Sequence, residues 1–84
     1  MREFIEFLVK EITSKPEEVS VKENQDDGVF IYSVHVSPED MGVVIGKEGK
    51  TIKSIRNMAK AKAIKDNIRM QIILEDSQLD QSDE

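Results

Sequence analysis

Met41-Gly42-Val43-Val44-Ile45-Gly46-Lys47-Glu48-Gly49-Lys50-Thr51-Ile52-Lys53-Ser54-Ile55-Arg56 decides how the chain is read. Met41, Val44 and Ile45 recur at helical spacing, and Gly46 cuts that helix short. Ile52 and Ile55 open a second apolar stripe that Ala59 and Ala63 continue, which predicts a longer helix from about Lys50 to Lys65. Between the helices stand two glycines with two residues between them. Without a Cβ at either, the chain can turn sharply and another backbone can come close. The loop also opens the second helix, whose first-turn amides lack helical partners and whose positive end attracts anions. Lys47 and Lys50 add charge at the same spot, so the segment is a cradle for a sugar-phosphate backbone. Gly42, about one helical turn before Gly46, leaves room for a flat base against the helix.

The flanking sequence supplies the rest of a small domain. Arg2 to about Thr13 reads as an amphipathic helix with Phe4, Ile5, Leu8 and Ile12 on its apolar stripe, ended by Ser14-Lys15-Pro16. Val19 and Val21 mark a short strand. Asn24-Gln25-Asp26-Asp27-Gly28 reads as a turn, with Asp-Gly as a hairpin signal. A second strand is expected from about Val29 to Val36, with Phe30, Tyr32, Val34 and Val36 toward the core and Val29, Ile31, Ser33 and His35 on the other face. Ser37-Pro38-Glu39-Asp40 reads as a helix start: Ser37 as N-cap, Pro38 in first position, Asp40 reaching back in a capping box. Asp66-Asn67 ends the long helix, and Ile68, Met70, Ile72 and Leu74 alternate with Arg69, Gln71 and Ile73 in a last strand. The order helix, strand, strand, helix, helix, strand predicts an α+β two-layer sandwich, a three-stranded sheet with three helices on one face. Residues 1–75 form the expected domain; residues 76–84, acidic and without periodicity, read as a disordered tail.

The 84 residues carry a net charge of −5, which argues against a polyanionic partner until the charge is located. Residues 40–70 hold eight bases and three acids, while residues 1–39 hold four bases and nine acids, and residues 71–84 five acids and no base. The local field governs phosphate attraction, so the middle third is where an anion belongs. There is no cysteine, hence no disulfide or thiolate metal site. No apolar run is long enough to span a bilayer, and the acids Glu3 and Glu6 do not suit a secretory signal. A cytoplasmic protein is expected.

Val44-Ile45-Gly46-Lys47-Glu48-Gly49-Lys50-Thr51-Ile52, with its helices and strands in this order, resembles the signature of the KH domain, whose GXXG loop clamps about four nucleotides of single strand. The element order resembles the type II, prokaryotic arrangement. The chain to about Leu74 is similar to small bacterial single-KH proteins of the KhpA type. The resemblance implies that single-stranded RNA contacts Gly42, Val43, Gly46, Lys47, Glu48, Gly49, Lys50, Thr51, Lys53 and Ser54, with the core strand beside the second helix as the other wall. It further implies a non-enzymatic protein, an RNA chaperone or post-transcriptional regulator, that associates as a homodimer or with a larger KH-containing RNA-binding protein. Glu48 and Val43 depart from the family: an acid beside a phosphate repels it, and relatives often carry lysine at the second position. Both departures lower the expected affinity.

Other chemistries find little support. Gly49-Lys50-Thr51 imitates the end of a phosphate-binding P-loop, but the required earlier glycine falls on Val44 and a helix, not a strand, precedes the loop. No carboxylate pair, metal-ligand cluster or nucleophile with its base is apparent, so no metal, cofactor or small-molecule substrate is expected. His35 reads as a sheet-face residue. Of the aromatics that could stack bases, Phe4, Phe30 and Tyr32 read as core, and Phe7 is open between the two roles. Lys60, Lys62 and Lys65 read as a solvated helix face, and Arg56 is open between contact and solvent. With about three phosphates engaged, the logarithm of affinity should fall by about 2 per decade of salt. The rival reading is a protein-interaction module of the same fold, docking through the face of Val29, Ile31 and Ile73.

Overall fold

The computed structural model describes residues 1–75; the expected acidic tail, residues 76–84, lies outside the described residues. Helix α1 spans Arg2–Ile12, strand β1 Ser20–Asp26, β2 Val29–His35, helix α2 Met41–Ile45, α3 Lys50–Asp66, and strand β3 Arg69–Leu74. The sheet order is β1-β2-β3, with β2 antiparallel to β1 and parallel to β3. Parallel strands need a crossover. Here α2 and α3 supply it, which makes the helix pair and its loop part of one strand–helix–helix–strand unit. This is the α+β architecture that the element order predicts.

The register explains the single core. Val21 lies opposite Val34, and Tyr32 opposite Ile72, so these four share one face. Against that face pack Ile5 and Val9 from α1, Val44 from α2, and Ile52, Ile55 and Ala59 from α3. Every inward residue expected on α3, Ala63 included, is buried. Tyr32 is buried in this layer with Glu23 opposite it. Burial, and secondarily that carboxylate, push its phenol above the ordinary range.

Several local expectations are corrected. The apolar stripe of α1 runs through Ile5 and Val9, with Met1 and Leu8 packed against the core, while Ile12 is 37% exposed. Ile12 is the last helical residue, and the chain leaves toward Pro16 without covering it. The hairpin turn is Asp27-Gly28 alone. Both have positive φ, 56° and 81°, and Asp26 pairs with Val29, so Asn24 to Asp26 continue the strand. This is the two-residue connection whose twist matches antiparallel strands. Val19 and Val36 are buried but lie just outside their strands.

The helix start at Ser37 is also different. The Ser37 hydroxyl oxygen accepts from the Glu39 amide at 3.3 Å, and Pro38 opens the turn Pro38–Asp40. Asp40 does not reach back to this cap. Its buried carboxylate accepts from the Ser14 amide (2.8 Å), the Ser14 hydroxyl (2.8 Å) and the Lys15 amide (3.0 Å). Beyond the end of α1 those amides have no helical acceptor, and a carboxylate is the stronger competitor for them. Asp40 therefore ties the exit of α1 to the entry of α2. The Ser14 amide bond, opposed by burial and helped by the Ser14 hydroxyl and Lys15, holds its carboxyl below the usual range.

Candidate nucleic-acid interface

Gly46 ends α2 by donating its amide to the Gly42 carbonyl at 2.8 Å. Its φ of 78° lies where side chains are disfavoured. Space adds a second restriction: a Cβ there would fall 2.7 Å from the Thr51 nitrogen and against the Thr51 side chain. Lys47–Gly49 then form a tight turn closed by the Gly49 amide on the Gly46 carbonyl at 3.1 Å. Gly49 has φ of 76° but open space around it, so conformation alone favours glycine there. Glu48, at φ 59° and ψ 28°, is a left-handed residue that is not glycine. Gly42 is helical, exposed and uncrowded. Nothing inside the fold requires its missing side chain, and its effect is to leave the outer surface of α2 bare.

The amides of Lys47 and Glu48 have no backbone acceptor among the described residues. They sit beside the start of α3, whose N-cap residue Gly49 supplies no side-chain cap. Lys47 and Lys50 are exposed next to them. Unpartnered donors, the positive end of a 17-residue helix and two cations thus meet at one turn.

A groove of about 400 Å³ lies further along α3, starting at Lys53. Lys53, Arg56, Asn57 and Lys60 of α3 form one wall, and Met70, Gln71 and Ile72 of β3 the other. The strand wall is thus the edge strand β3. The α3 wall is basic, the β3 wall carries the apolar Met70 and Ile72, and no aromatic ring lines the groove. Phe30 and Tyr32 instead stack on each other in the core layer, with centroids 6.4 Å apart. Phe4 packs under Lys62, whose Nζ is 5.8 Å from the ring centroid, and Phe7 is 59% exposed on α1.

Of the residues expected at the site, Gly46, Lys47, Glu48, Gly49, Lys50 and Thr51 share the loop and the start of α3. Lys53 lines the groove beyond it. Gly42 and Val43 lie on exposed α2, and Ser54 is exposed on α3; none of the three lines the groove. Arg56, Asn57, Lys60, Met70, Gln71 and Ile72 were not among the expected contacts. A signal for them existed. Lys53, Arg56, Asn57 and Lys60 follow the i, i+3, i+4, i+7 pattern of one helix face. Only Asn67 and Ile68 separate α3 from β3, so the strand must return beside that helix. Lys60, exposed as expected, also lines the groove. Lys62 is engaged elsewhere, with Asp66 at 3.5 Å. Among the described residues, no group of three His, Asp or Glu could hold a metal ion, and no helix is long and apolar enough to cross a membrane.

The family described as KhpA/KhpB, KH domain, matches residues 2–74. The chain belongs to this KH family. Its relatives include the protein called RNA-binding protein KhpA in Chlamydia trachomatis, 43% identical over 72 residues that cover 86% of this chain and 92% of that one. The protein of the same name in Clostridium perfringens is 48% identical over 67 residues, covering 80% and 89%. Among solved structures, Aquifex aeolicus Era bound to GDP and aluminium fluoride superimposes with a TM-score of 0.63 at 20% identity, over 87% of this chain and 28% of that chain. That likeness is one of fold. The segment Met41–Asp66, with Gly46 and Gly49 between its two helices, lies inside the matched residues.

Proposed function

We propose that this KH protein binds single-stranded RNA, without catalysis, along the path from the Gly46–Gly49 loop into the groove between α3 and β3. The observation that carries the reading is that the loop opens the helix that lines the groove: unpartnered amides and Lys47, Lys50 at the loop, then Lys53, Arg56 and Lys60 on α3 facing Met70 and Ile72. Phosphates are held at Gly46, Lys47, Glu48, Gly49, Lys50 and Thr51, where the exposed Glu48 lowers the attraction. The first base lies over Gly42 and Val43, and later ones lie beside Lys53 and Ser54 and over Met70 and Ile72. Relatives named as RNA-binding proteins support the class of ligand. Without an aromatic platform each base forgoes a stacking contribution of about 1–3 kcal/mol, so affinity is weak and base preference slight. Weak, unselective binding to single strands suits an RNA chaperone or a post-transcriptional regulator in the cytoplasm.

The test is fluorescence anisotropy of a labelled, unstructured RNA with wild type and Lys47→Asp, at low and physiological salt. Salt-sensitive binding by wild type and its loss in the variant are expected. Equal affinities, with circular dichroism showing both folded, would remove the loop from the interface.

A second reading concerns association, as a homodimer or with a larger KH-containing RNA-binding protein. The sheet face away from the helices carries Val29 and Ile31 half-buried and Ile73 41% exposed. Ile31→Lys should break an oligomer formed there and spare RNA binding; unchanged light scattering would dismiss that surface.

A further inference from the structure

The groove takes its α3 wall from one face of the helix, through Lys53, Arg56, Asn57 and Lys60. That face does not stop at Lys60. Ile64 follows Lys60 by four residues, Asn57 by seven and Lys53 by eleven, the repeat of a single stripe. It stands one turn, about 6 Å, beyond Lys60 along the axis. At 72% it is the most exposed of the large apolar side chains among the described residues. The buried stripe of α3, through Ile52, Ile55, Ala59 and Ala63, runs along a different side, so core packing does not account for an isoleucine here. Helix propensity does not either, since a β-branched residue is a weaker helix former than the lysines around it. Single exposed apolar residues are ordinary on a surface. This one is set apart by standing in line with the wall of a groove.

The chain turns back at the same level. The Asn67 amide donates to the Ile64 carbonyl at 3.1 Å, and the Ile68 amide to the Ala63 carbonyl at 2.9 Å. These bonds hold the start of the strand wall at the level of Ile64. Lys65 and Arg69, though near in sequence, do not line the groove. This is also the negative end of α3, the reverse of the Gly46–Gly49 end. A phosphate is disfavoured there, whereas an uncharged ring with an apolar face is not.

We infer that Ile64 seats a further base of the same RNA strand, beyond the about four nucleotides that a KH loop clamps. This extends the proposed RNA-binding reading and rests on it. The occupant is RNA because the stripe that leads to Ile64 carries three cations, Lys53, Arg56 and Lys60, and no acid. The seat works by removing the isoleucine and one face of a base from water, and it adds no phosphate contact. It reads the length of a strand rather than its sequence, since every base has such a face.

In the experiment, unstructured RNAs of about four and about eight nucleotides compete with a labelled RNA for the full chain, for Ile64→Ala and for Ile64→Leu. Affinity for the shorter RNA should be the same in all three. The preference for the longer RNA should fall about fivefold in Ile64→Ala and be kept in Ile64→Leu. Extra binding registers on the longer strand multiply equally for the three proteins, so the change in preference isolates the seat. The fall should be as large at about 500 mM salt as at about 50 mM, because an apolar contact is not screened. The NMR methyl signals of Ile64 should move with the longer RNA and stay with the shorter. An equal loss for both lengths, or no loss, would overturn the seat and leave the RNA reading in place. So would a loss that vanishes at the higher salt, which would belong to a phosphate. Ile64 signals that shift with protein concentration before RNA is added would give the residue to a second copy and overturn the seat. Wild type that binds neither length would overturn the RNA reading and the seat together.

Discussion

The two loop glycines are required for different reasons, and substitution separates them. Gly46→Ala meets both an unfavourable φ and the Thr51 backbone, which cannot retreat without unwinding the start of α3. Its cost should be about 2–4 kcal/mol. Gly49→Ala meets only the φ and should cost about 1–2 kcal/mol. Urea denaturation checks the order; equal costs would mean that the loop yields and that the Thr51 contact constrains nothing. Glu48 offers the reverse case. Its left-handed backbone stores about 1 kcal/mol, which Glu48→Gly releases, but glycine loosens the unfolded chain by a similar amount. Stability should hardly change. RNA affinity should rise up to about fivefold, because one acid near a phosphate is worth about 1 kcal/mol in water. Unaltered binding in an anisotropy titration would place the phosphates away from Glu48. The spacing of the glycines announced the loop, since a two-residue interval between two helical stripes has few other uses. The collision with Thr51 was not legible, because it depends on where the second helix turns back on the first.

At the scale of elements, periodicity carried most of the information and ends carried least. The inward residues of α3 and the core face of β2 follow directly from their periods. The length of the Asp27-Gly28 turn did not, because Asn24, Gln25 and Asp26 have turn-like composition yet are held as a strand by pairing with Val29 to Ile31. Asp40 was misplaced for a related reason: a carboxylate after a cap residue has a local partner in the sequence, whereas its real partners are 25 and 26 residues away. That tie has a measurable pH signature. A carboxyl held below its usual range contributes stability that is fully present above the ordinary value near 3.9 and is lost as pH falls through the folded value. Asp40→Asn keeps one acceptor but turns an amide donor toward the Lys15 amide. It should lower Tm at pH 7, and the gap to wild type should narrow below about pH 4 as the native carboxylate is protonated. A gap that stays constant from pH 7 to pH 3 would show that the charge is not what holds α1 to α2.

The whole molecule is an anion with a cationic middle, and the salt dependence of RNA binding measures which of the two the ligand encounters. The net charge of −5 would repel RNA at long range, whereas Lys47, Lys50, Lys53, Arg56 and Lys60 attract it within about one screening length. Clamping about four nucleotides engages about three phosphates, and a single strand gives a slope of about 0.7 per phosphate, so the logarithm of affinity should fall by about 2 per decade of salt. Removing one groove base should reduce that slope by about 0.7, as in Lys53→Gln. Lys65, on the same helix but outside the groove, is the control: Lys65→Gln changes the net charge equally and should leave the slope alone. Equal effects at the two positions would mean that RNA feels only the field of the helix and has no fixed seat beside it.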